Sequence, residues 1–425
     1  MPSATPGSEP SASENTLLQQ GYHLSYCTNI HPGESWAEVE QSLKQYVPEV
    51  KKQVSPHKAF GLGLRLSHQA SLELLEGAKL QEFKAWLDRE GLYVFTLNGF
   101  PYGGFHHRVV KDGVHQPDWT TPERLHYTLR LFHILAVLLP AGVEGGISTS
   151  PLSYKLWHSS GAEQQRVFTT ATEQLLQVVV HLHLLRQNTG KWLHLDIEPE
   201  PDGVLENTRE VITYFREWLL PMGIPYLQRQ LGLSPQQATA AIKDHLQLCY
   251  DVCHFALAYE EPGEVFRQLE SEGIRIGKIQ ISAALKSLLP ESRQERQQLA
   301  ERYKPFAEST YLHQVVARQA NGSLHQYNDL PAALQDIQNP ALQEWRTHFH
   351  VPVFESSYGS LQSTQDDIRQ VLEIQQEKPV TSHLEVETYT WEVLPPESRL
   401  PLTESIVREL EWVQQVLQAP QKPVK

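Results

Sequence analysis

The sequence is long, moderately hydrophobic and acidic. It has 425 residues, of which 40% are hydrophobic and 9% aromatic, which is enough for one large α/β domain with its own core. Acidic residues outnumber basic residues 50 to 36, and the formal net charge is −14. Because such a surface repels phosphate backbones, we do not expect a nucleic acid as partner.

Other sequence features predict a cytoplasmic protein. The three cysteines show no CxxC pattern, which predicts buried thiols in a reducing compartment. No apolar run reaches the length of a membrane span, so we expect no direct membrane insertion. The first residues lack the basic and apolar regions of a signal peptide. Residues 1–16 are rich in Ser, Pro and Glu, which predicts a disordered tail.

Predicted strands and helices alternate along the rest of the chain. Short apolar or alternating runs bounded by turn residues predict strands at 22–28, 60–66, 92–97, 146–149, 192–198, 246–252, 274–281 and 382–388. Helical spacing of apolar residues predicts helices between them, near 35–47, 68–75, 83–90, 121–139, 163–187, 206–220, 235–246, 263–272, 364–376 and 403–417. This alternation predicts a closed (β/α)8 TIM barrel, which we expect to cover residues 17–418.

The alternation stops after the seventh predicted strand. We interpret residues 285–345 as an insertion that shapes access to the barrel. It contains a predicted hairpin, 311–327, with an Asn-Gly turn. The next stretch, 348–354, is predicted to be a loop, because Pro352 would interrupt a central strand.

The strand predicted at 192–198 carries three ionisable residues on one face. Apolar and polar residues alternate along it, so His194, Asp196 and Glu198 point to the same side. Two prolines follow and end the strand, which leaves Glu198 at its carboxyl end. TIM barrels hold their functional residues at this end of the strands. The alternative interpretation is a solvated edge strand with acids on the surface.

Further polar side chains lie near the carboxyl ends of later predicted strands. Because these ends meet at one barrel mouth, we expect the side chains to converge there. The candidates are Glu198, Asp251, His254, Gln280, Glu385 and Glu387, together with His348 and His350 from the segment after the insertion. Carboxylates that converge repel one another unless a cation or shared protons intervene.

The residue types in this set indicate a divalent metal site. Carboxylate oxygens with one imidazole suit Mn²⁺, Mg²⁺, Co²⁺ or Zn²⁺. Two opposed acids beside such an ion, Glu198 and Glu387, could move a proton at a carbon next to a carbonyl. Each signal alone also has a structural interpretation. Asp251 with His254 could be a packing pair, the two glutamates at the last strand an exposed face, and the two later histidines part of a polar loop.

The set resembles the metal-binding pattern of the xylose-isomerase-like superfamily of TIM barrels, which includes sugar-phosphate isomerases and epimerases. Those enzymes bind a divalent ion through Glu, Asp, His and Glu at the ends of strands five to eight. The resemblance implies that Glu198, Asp251 and Glu387 are ligands and that His254 faces the substrate or the metal. Gln280 stands where the superfamily has His, so the remaining ligand is either Gln280 or His350.

Three motifs resemble, more narrowly, the EboE family, the TIM-barrel member of the bacterial Ebo metabolite-traffic group. They are Leu195-Asp-Ile-Glu-Pro-Glu-Pro201, His348-Phe-His-Val-Pro-Val-Phe354 and Leu384-Glu-Val-Glu-Thr-Tyr-Thr-Trp391. The resemblance covers about residues 20–418. It implies that the protein works with other Ebo-cluster proteins to move a secondary-metabolite precursor toward the periplasm, as in cyanobacteria.

Two functions fit this sequence. The first is a metal-dependent isomerase or epimerase of a small polar metabolite, with Glu198 and Glu387 as acid/base groups and His254 orienting the substrate. The second is a non-catalytic metabolite carrier or assembly partner with a degenerate isomerase site, in which Gln280 marks the lost chemistry. A nuclease similar to endonuclease IV would share the barrel and the metal site, but the net charge of −14 disfavours it.

Overall fold

The structure is a computed structural model that describes residues 21–104, 111–307, 312–359, 361–391, 394 and 399–420. The tail predicted at 1–16 lies outside the described residues, as does residue 311 at the start of the predicted hairpin. Among the helices in the described ranges, none is long and apolar enough to cross a membrane.

Eight parallel strands form the main sheet of the described chain. The strands in chain order are β1 (His23–Tyr26), β2 (Phe60–Arg65), β3 (Leu92–Asn98), β4 (Gly145–Thr149), β5 (Leu193–Ile197), β6 (Leu246–Asp251), β7 (Ile276–Ile281), β8 (Ala283–Leu288), β9 (Val315–Gln319), β10 (Leu324–Tyr327), β11 (Leu342–Val351), β12 (Ser357–Tyr358), β13 (Leu361–Ser363) and β14 (His383–Val386). The main sheet runs β1-β14-β7-β6-β5-β4-β3-β2. It closes where Cys27 bridges to Gly63 and the Gly63 amide donates to Ser25 Oγ at 3.0 Å. The predicted (β/α)8 TIM barrel is confirmed.

Helices surround this barrel, and their ends follow local sequence signals. Ser35 caps the first helix with Glu38 in a reciprocal capping box, an arrangement that stabilises a helix by about 1 kcal/mol. Its buried face carries Val39, Leu43 and Val47 at helical spacing, and each such side chain contributes about 1.5–3 kcal/mol by burial. The helices are α1 (Trp36–Val54), α2 (His68–Glu73), α3 (Lys79–Glu90), α4 (Pro122–Leu138), α5 (Gly161–Thr189), α6 (Thr208–Tyr214), α7 (Leu220–Leu231), α8 (Pro235–His245), α9 (Val252–Leu257), α10 (Pro262–Ser271), α11 (Arg293–Tyr303), α12 (Leu330–Gln335), α13 (Gln365–Glu377) and α14 (Leu402–Gln418).

The interior of the barrel is unusually polar. TIM-barrel interiors are normally filled by branched apolar side chains, but here His194, Asp196, Lys278 and Glu385 are all completely buried. Glycines on nearby strands make room for them, since a Cβ on Gly146 of β4 or on Gly277 of β7 would overlap the Asp196 carboxylate. The interpretation of β5 as a solvated edge strand is wrong, because β5 pairs with β4 and β6 and its residues are buried.

A second sheet, antiparallel throughout its described strands, lies in the chain between β7 and β14. Its order is β10-β9-β11-β8-β13-β12. The predicted hairpin is confirmed for its described part, where β9 pairs with β10. The sheet extends beyond the expected insertion, 285–345, because it begins at Ala283 and continues to Ser363.

The prediction of a loop at 348–354 is wrong. Residues up to Val351 belong to β11, a ten-residue strand that pairs with β8 and β9. Pro352 comes after the strand instead of interrupting it, so its missing N–H removes no hydrogen bond from the sheet. As a result, His348 and His350 are strand residues of the second sheet, and their positions are fixed by β11.

Candidate metal and substrate site

A cavity of about 410 Å³ opens at the carboxyl ends of the barrel strands. Its wall combines residues that follow the barrel strands with residues of β11 and of the segment before β9. Phe100, Phe306 and Phe349 line the cavity together with polar residues, among them Glu198 and Glu387. A cavity of this size, apolar in part and with a few converging polar groups, suits a small metabolite.

Three carboxylates meet at the inner end of this cavity. Glu198 directly follows β5, Asp251 ends β6, and Glu387 directly follows β14. Main-chain hydrogen bonds fix both glutamates, because Glu198 N donates to Thr149 O at 2.9 Å and Glu387 N donates to Ile281 O at 3.0 Å. The three residues are buried, and each offers an oxygen within 4.8 Å of those of the other two. The structure therefore brings together the three carboxylates that the sequence places at strand ends.

The environment of these carboxylates shifts their pKa values in opposite directions. Burial raises the pKa of Glu198 well above its usual range, and Glu387 and Asp251 raise it further. Burial and Asp251 also raise the pKa of Glu387 to about 7, against the opposing effect of His350. Burial alone would raise the pKa of Asp251 too, but His254, His350 and a hydrogen bond from Ser282 hold it below its ordinary value. Asp251 is thus the anion of the group, and the two glutamates retain protons more readily.

Gln280 on β7 lies between two of these carboxylates. Its Nε2 donates to Asp251 Oδ2 at 3.3 Å and, in a short contact, to Glu387 Oε2. Its Oε1 accepts from Cys249 Sγ at 3.0 Å. In this orientation the amide nitrogen faces the carboxylates and the oxygen faces β6, so ligation through oxygen would require the amide to rotate.

His350 lies close to the same two carboxylates. Its Nδ1 is 3.5 Å from Glu387 Oε2, and its Nε2 is 4.0 Å from Asp251 Oδ2. The ring stacks on Tyr389 with 5.4 Å between centroids. Asp251, His254 and His350 each offer a ligand atom within 4.8 Å of the others. The second sheet thus supplies an imidazole to the barrel mouth.

A pair of histidines closes the site on the side of β11. His254 Nδ1 lies 3.0 Å from Pro199 O, a carbonyl that can only accept, so this nitrogen carries the hydrogen. His348 Nδ1 lies 2.9 Å from Gln314 Oε1, and Gln314 Nε2 is itself engaged with Pro201 O. Both neutral rings therefore present lone pairs at Nε2, and these two atoms are only 3.1 Å apart.

Two lone pairs at this distance repel one another unless a proton or a cation lies next to them. Burial lowers the pKa of His254, and burial together with His254 lowers the pKa of His348 well below its usual value. Protonation is therefore disfavoured near neutral pH. The pair can bind a cation or a hydrogen-bond donor of a metabolite, which fits the substrate-orienting role expected for His254.

Several residues of the site were not selected from the sequence. Tyr389 donates a short hydrogen bond to Glu387 Oε1, and Asn29 Nδ2 donates to Tyr389 Oη at 2.9 Å. Asn98 Nδ2 lies 3.4 Å from the same Glu387 oxygen. Tyr389 lies two residues beyond Glu387, Asn98 is the last residue of β3, and Asn29 lies three residues beyond the end of β1. Position at strand ends was therefore a usable signal for all three.

Glu385 takes a different place from Glu387. Its carboxylate lies deeper in the barrel, where Oε2 accepts from Lys278 Nζ at 2.7 Å. Lys278 also donates to Ser148 Oγ at 3.1 Å. Burial lowers the pKa of Lys278, but Glu385, Cys249, Cys27 and Glu198 together raise it, and the pKa lies above its ordinary value. The interpretation of the two glutamates as an exposed face is wrong, because both are buried.

The chain is similar in structure to several solved proteins. No family model matches the chain, and no curated protein matches it. A xylose isomerase-like TIM barrel protein from Mycobacterium smegmatis in complex with magnesium is 12% identical, with 93% of this chain and 96% of that chain covered and a TM-score of 0.45. An IOLI protein with a binding zinc atom is 10% identical, with coverage of 93% and 98% and a TM-score of 0.42.

A third similar structure is the probable 3-DHS dehydratase AsbF, involved in petrobactin synthesis, from Bacillus anthracis. It is 12% identical, covers 92% of this chain and 98% of its own, and has a TM-score of 0.40. Because identities this low concern the fold alone, the function has to be inferred from the geometry of the site.

Proposed function

We propose that the barrel mouth binds a divalent metal ion and a small polar metabolite, and that the protein isomerises or epimerises this metabolite. One observation carries the proposal. Glu198, Asp251 and Glu387 are buried with ligand oxygens within 4.8 Å of one another. Buried carboxylates this close repel one another unless a cation or protons neutralise them, and one divalent ion in contact with all three offsets most of their charge.

The residues present fit such an ion. Glu198 Oε2 and His350 Nδ1 are buried and have no hydrogen-bond partner among the described residues. Three carboxylates with one imidazole suit Mn²⁺, Mg²⁺, Co²⁺ or Zn²⁺. We assign the imidazole to His350, because Gln280 turns its nitrogen and not its oxygen toward the carboxylates. The ligands proposed are therefore Glu198, Asp251, His350 and Glu387, and Gln280 as a ligand stays the alternative.

The same residues can move a proton. A bound divalent ion would polarise a carbonyl or hydroxyl oxygen of the metabolite. Burial raises the pKa of Glu387 to about 7 before any ion binds, and a bound ion would lower it again, so Glu387 would act first as the base that takes the proton from the carbon next to that oxygen. Tyr389 and Asn98 hold the carboxylate of Glu387 in place. Glu198 is the opposed acid, and the His254–His348 pair orients the hydroxyl groups of the metabolite.

A non-catalytic carrier is the second candidate. Its support is Gln280, whose amide ties Asp251 to Glu387 and supplies no negative or basic group. In that case the cavity holds a secondary-metabolite precursor without turnover, and other Ebo-cluster proteins in the cytoplasm receive it for transport toward the periplasm. The motif resemblance to the EboE family supports this wider role for either candidate.

Metal binding and proton exchange can be measured on one preparation. We expect metal-stripped protein to bind Mn²⁺, Co²⁺ or Zn²⁺ in calorimetry, and its melting temperature to rise. A ligand present at 100 times its Kd stabilises the fold by about 2.7 kcal/mol. Glu198→Gln and Asp251→Asn should each abolish the rise and leave the metal-free melting temperature close to that of wild type. Glu123→Gln, an exposed acid on α4, is the matched control.

Catalysis is then tested in deuterium oxide. Wild-type protein with metal is incubated with aldoses, ketoses and their phosphates, and proton NMR follows exchange at the carbon next to the carbonyl. Exchange that needs both metal and Glu387 supports the isomerase. Metal binding without exchange for any compound would favour the carrier, and co-purified metabolites would then identify its cargo. Absence of metal binding would contradict both the ligand set and the isomerase.

A further inference from the structure

We propose a second, independent metal site at the opposite end of the barrel, made by Glu144, His194 and His383 and suited to Zn²⁺. Glu144 directly precedes β4, His194 is the second residue of β5, and His383 is the first residue of β14. Each offers a ligand atom within 4.8 Å of those of the other two. The three residues thus meet at the amino ends of the strands, away from the mouth.

The hydrogen bonds of His194 leave its outer nitrogen available. Nδ1 lies 2.6 Å from Asp196 Oδ1, and a carboxylate oxygen in this position accepts the hydrogen of Nδ1. Nε2 of the neutral ring therefore carries a lone pair. This atom is buried, has no hydrogen-bond partner in the described part of the chain, and lies 3.9 Å from Glu144 Oε1. In the neutral ring this lone pair faces the Glu144 carboxylate, an arrangement that a cation bound between Nε2 and Oε1 would stabilise.

The second histidine is arranged in the same way. His383 Nε2 lies 3.2 Å from the main-chain oxygen of Glu144, which can only accept, so the lone pair of the neutral ring is on Nδ1. This Nδ1 is also buried without a partner among the residues that the structure describes. Two fully buried imidazoles are therefore oriented by acceptors and left with unused lone pairs. Metal-ligating histidines are commonly held this way, with the outer N–H donated to a carboxylate or carbonyl.

The ligand types differ from those of the mouth. Two imidazoles and one carboxylate are a ligand set of tetrahedral zinc, in which water occupies the fourth position. The side chain of Glu144 is 33% exposed, whereas His194 is completely buried, so the carboxylate gives an ion access from solvent. The buried pair Lys278–Glu385 lies within the barrel interior, on β7 and β14. We call this end of the barrel, with Glu144, His194 and His383, its base. An ion bound there would join β5 to β14, which are not neighbours in the sheet, and so stabilise the barrel.

Zinc stoichiometry separates this site from the mouth. Metal-stripped wild-type protein should bind two Zn²⁺ per chain, and the double variant Glu198→Gln/Asp251→Asn should still bind one. Glu144→Gln should bind one fewer than wild type and keep metal binding at the mouth, while the exposed control Glu123→Gln should bind as wild type does. Asp196→Asn, a positioning variant, should keep the stoichiometry but weaken binding at the base by about 10- to 100-fold.

Two outcomes would overturn the proposal. One is a Glu198→Gln/Asp251→Asn protein that folds, as judged by its metal-free melting curve, and binds no Zn²⁺. The other is unchanged zinc affinity and stoichiometry in Glu144→Gln. His383→Gln provides a second variant of the base, and the visible absorption of bound Co²⁺ reports its loss directly. If no metal binds at the mouth, the measurements on Glu144, His194 and His383 still test the site at the base. The two sites are therefore tested separately.

Discussion

The two ends of the barrel hold different sets of ionisable side chains. At the mouth, three carboxylates converge and β11 of the second sheet adds His348 and His350. At the base, two histidines and one partly exposed glutamate come from the barrel strands and their immediate flanks. The mouth therefore combines His254 of the barrel with two imidazoles of the second sheet, whereas the base is complete within the barrel.

This difference shows how the interior of one barrel can hold two sets of polar groups. Between the set at the mouth and the set at the base, Lys278 and Glu385 form a completely buried ion pair. The mouth is rich in oxygen ligands and opens to a cavity of about 410 Å³, which fits a site that binds a metabolite. The base offers two imidazole nitrogens and one carboxylate oxygen, a ligand set that fits Zn²⁺.

The largest expected effect comes from breaking the ion pair between the two ends. Lys278→Met leaves the Glu385 carboxylate buried without its cation, and removal of one partner of a buried pair costs about 3–5 kcal/mol. We expect this loss in the free energy of unfolding, measured by urea denaturation.

The matched control for that variant replaces both charges. In Lys278→Met/Glu385→Leu no unpaired charge remains, and replacement of a buried pair by apolar residues of similar volume is often neutral or stabilising. Stability should therefore return close to that of wild type. If Lys278→Met is as stable as wild type, water reaches the Glu385 carboxylate, and the buried ion pair does not separate the mouth of the barrel from its base.

An intermediate effect should identify the fourth ligand of the mouth. If His350 is the ligand, His350→Ala should weaken Mn²⁺ or Co²⁺ binding by more than tenfold, which corresponds to about 1.4 kcal/mol. Gln280→His, which adds an imidazole beside Asp251 and Glu387, should keep or strengthen binding. Calorimetry measures both, and zinc at the base should not change. Unchanged affinity in His350→Ala would assign the position to Gln280 or water.

The smallest expected effect is the pH dependence of metal binding at the mouth. The pKa of Glu387 is about 7 because burial favours its neutral form. The proton of Glu387 therefore competes with the ion below pH 7, and competition at this carboxylate disappears above pH 7. We expect the affinity to fall by about tenfold per pH unit below 7 for one competing proton. Calorimetry between pH 5.5 and 8 checks this, and Glu387→Gln should show weaker binding with a shallower pH dependence. An equally steep dependence in that variant would assign the proton to another group.

Much of the barrel was predictable because its signals are local. The strand at 192–198 alternates over successive residues, and its terminal prolines define its carboxyl end. The capping box at Ser35 likewise involves residues only three positions apart. Position at the ends of parallel strands also led from the sequence to Glu198, Asp251 and Glu387, since topology alone brings such ends together.

The second sheet was less predictable because its pairings join distant segments. Pro352 suggested a loop, but the strand partners of β11 are β8 and β9, which precede it by tens of residues. Their hydrogen bonds make His348 and His350 strand residues, and the proline only ends the strand. No local pattern contains that information.

The sequence by itself determined the alternation of strands and helices, the barrel that follows from it, and the carboxylates at the strand ends, because these depend on periodicity and on chain breaks. Tertiary structure decided which polar atoms face one another. The tautomers of His254 and His348 follow from Pro199 and Gln314, and the orientation of Gln280 follows from Cys249. Such contacts join residues far apart in the chain, and their chemistry depends on burial and on distances of a few ångströms, which exist only once the barrel has closed.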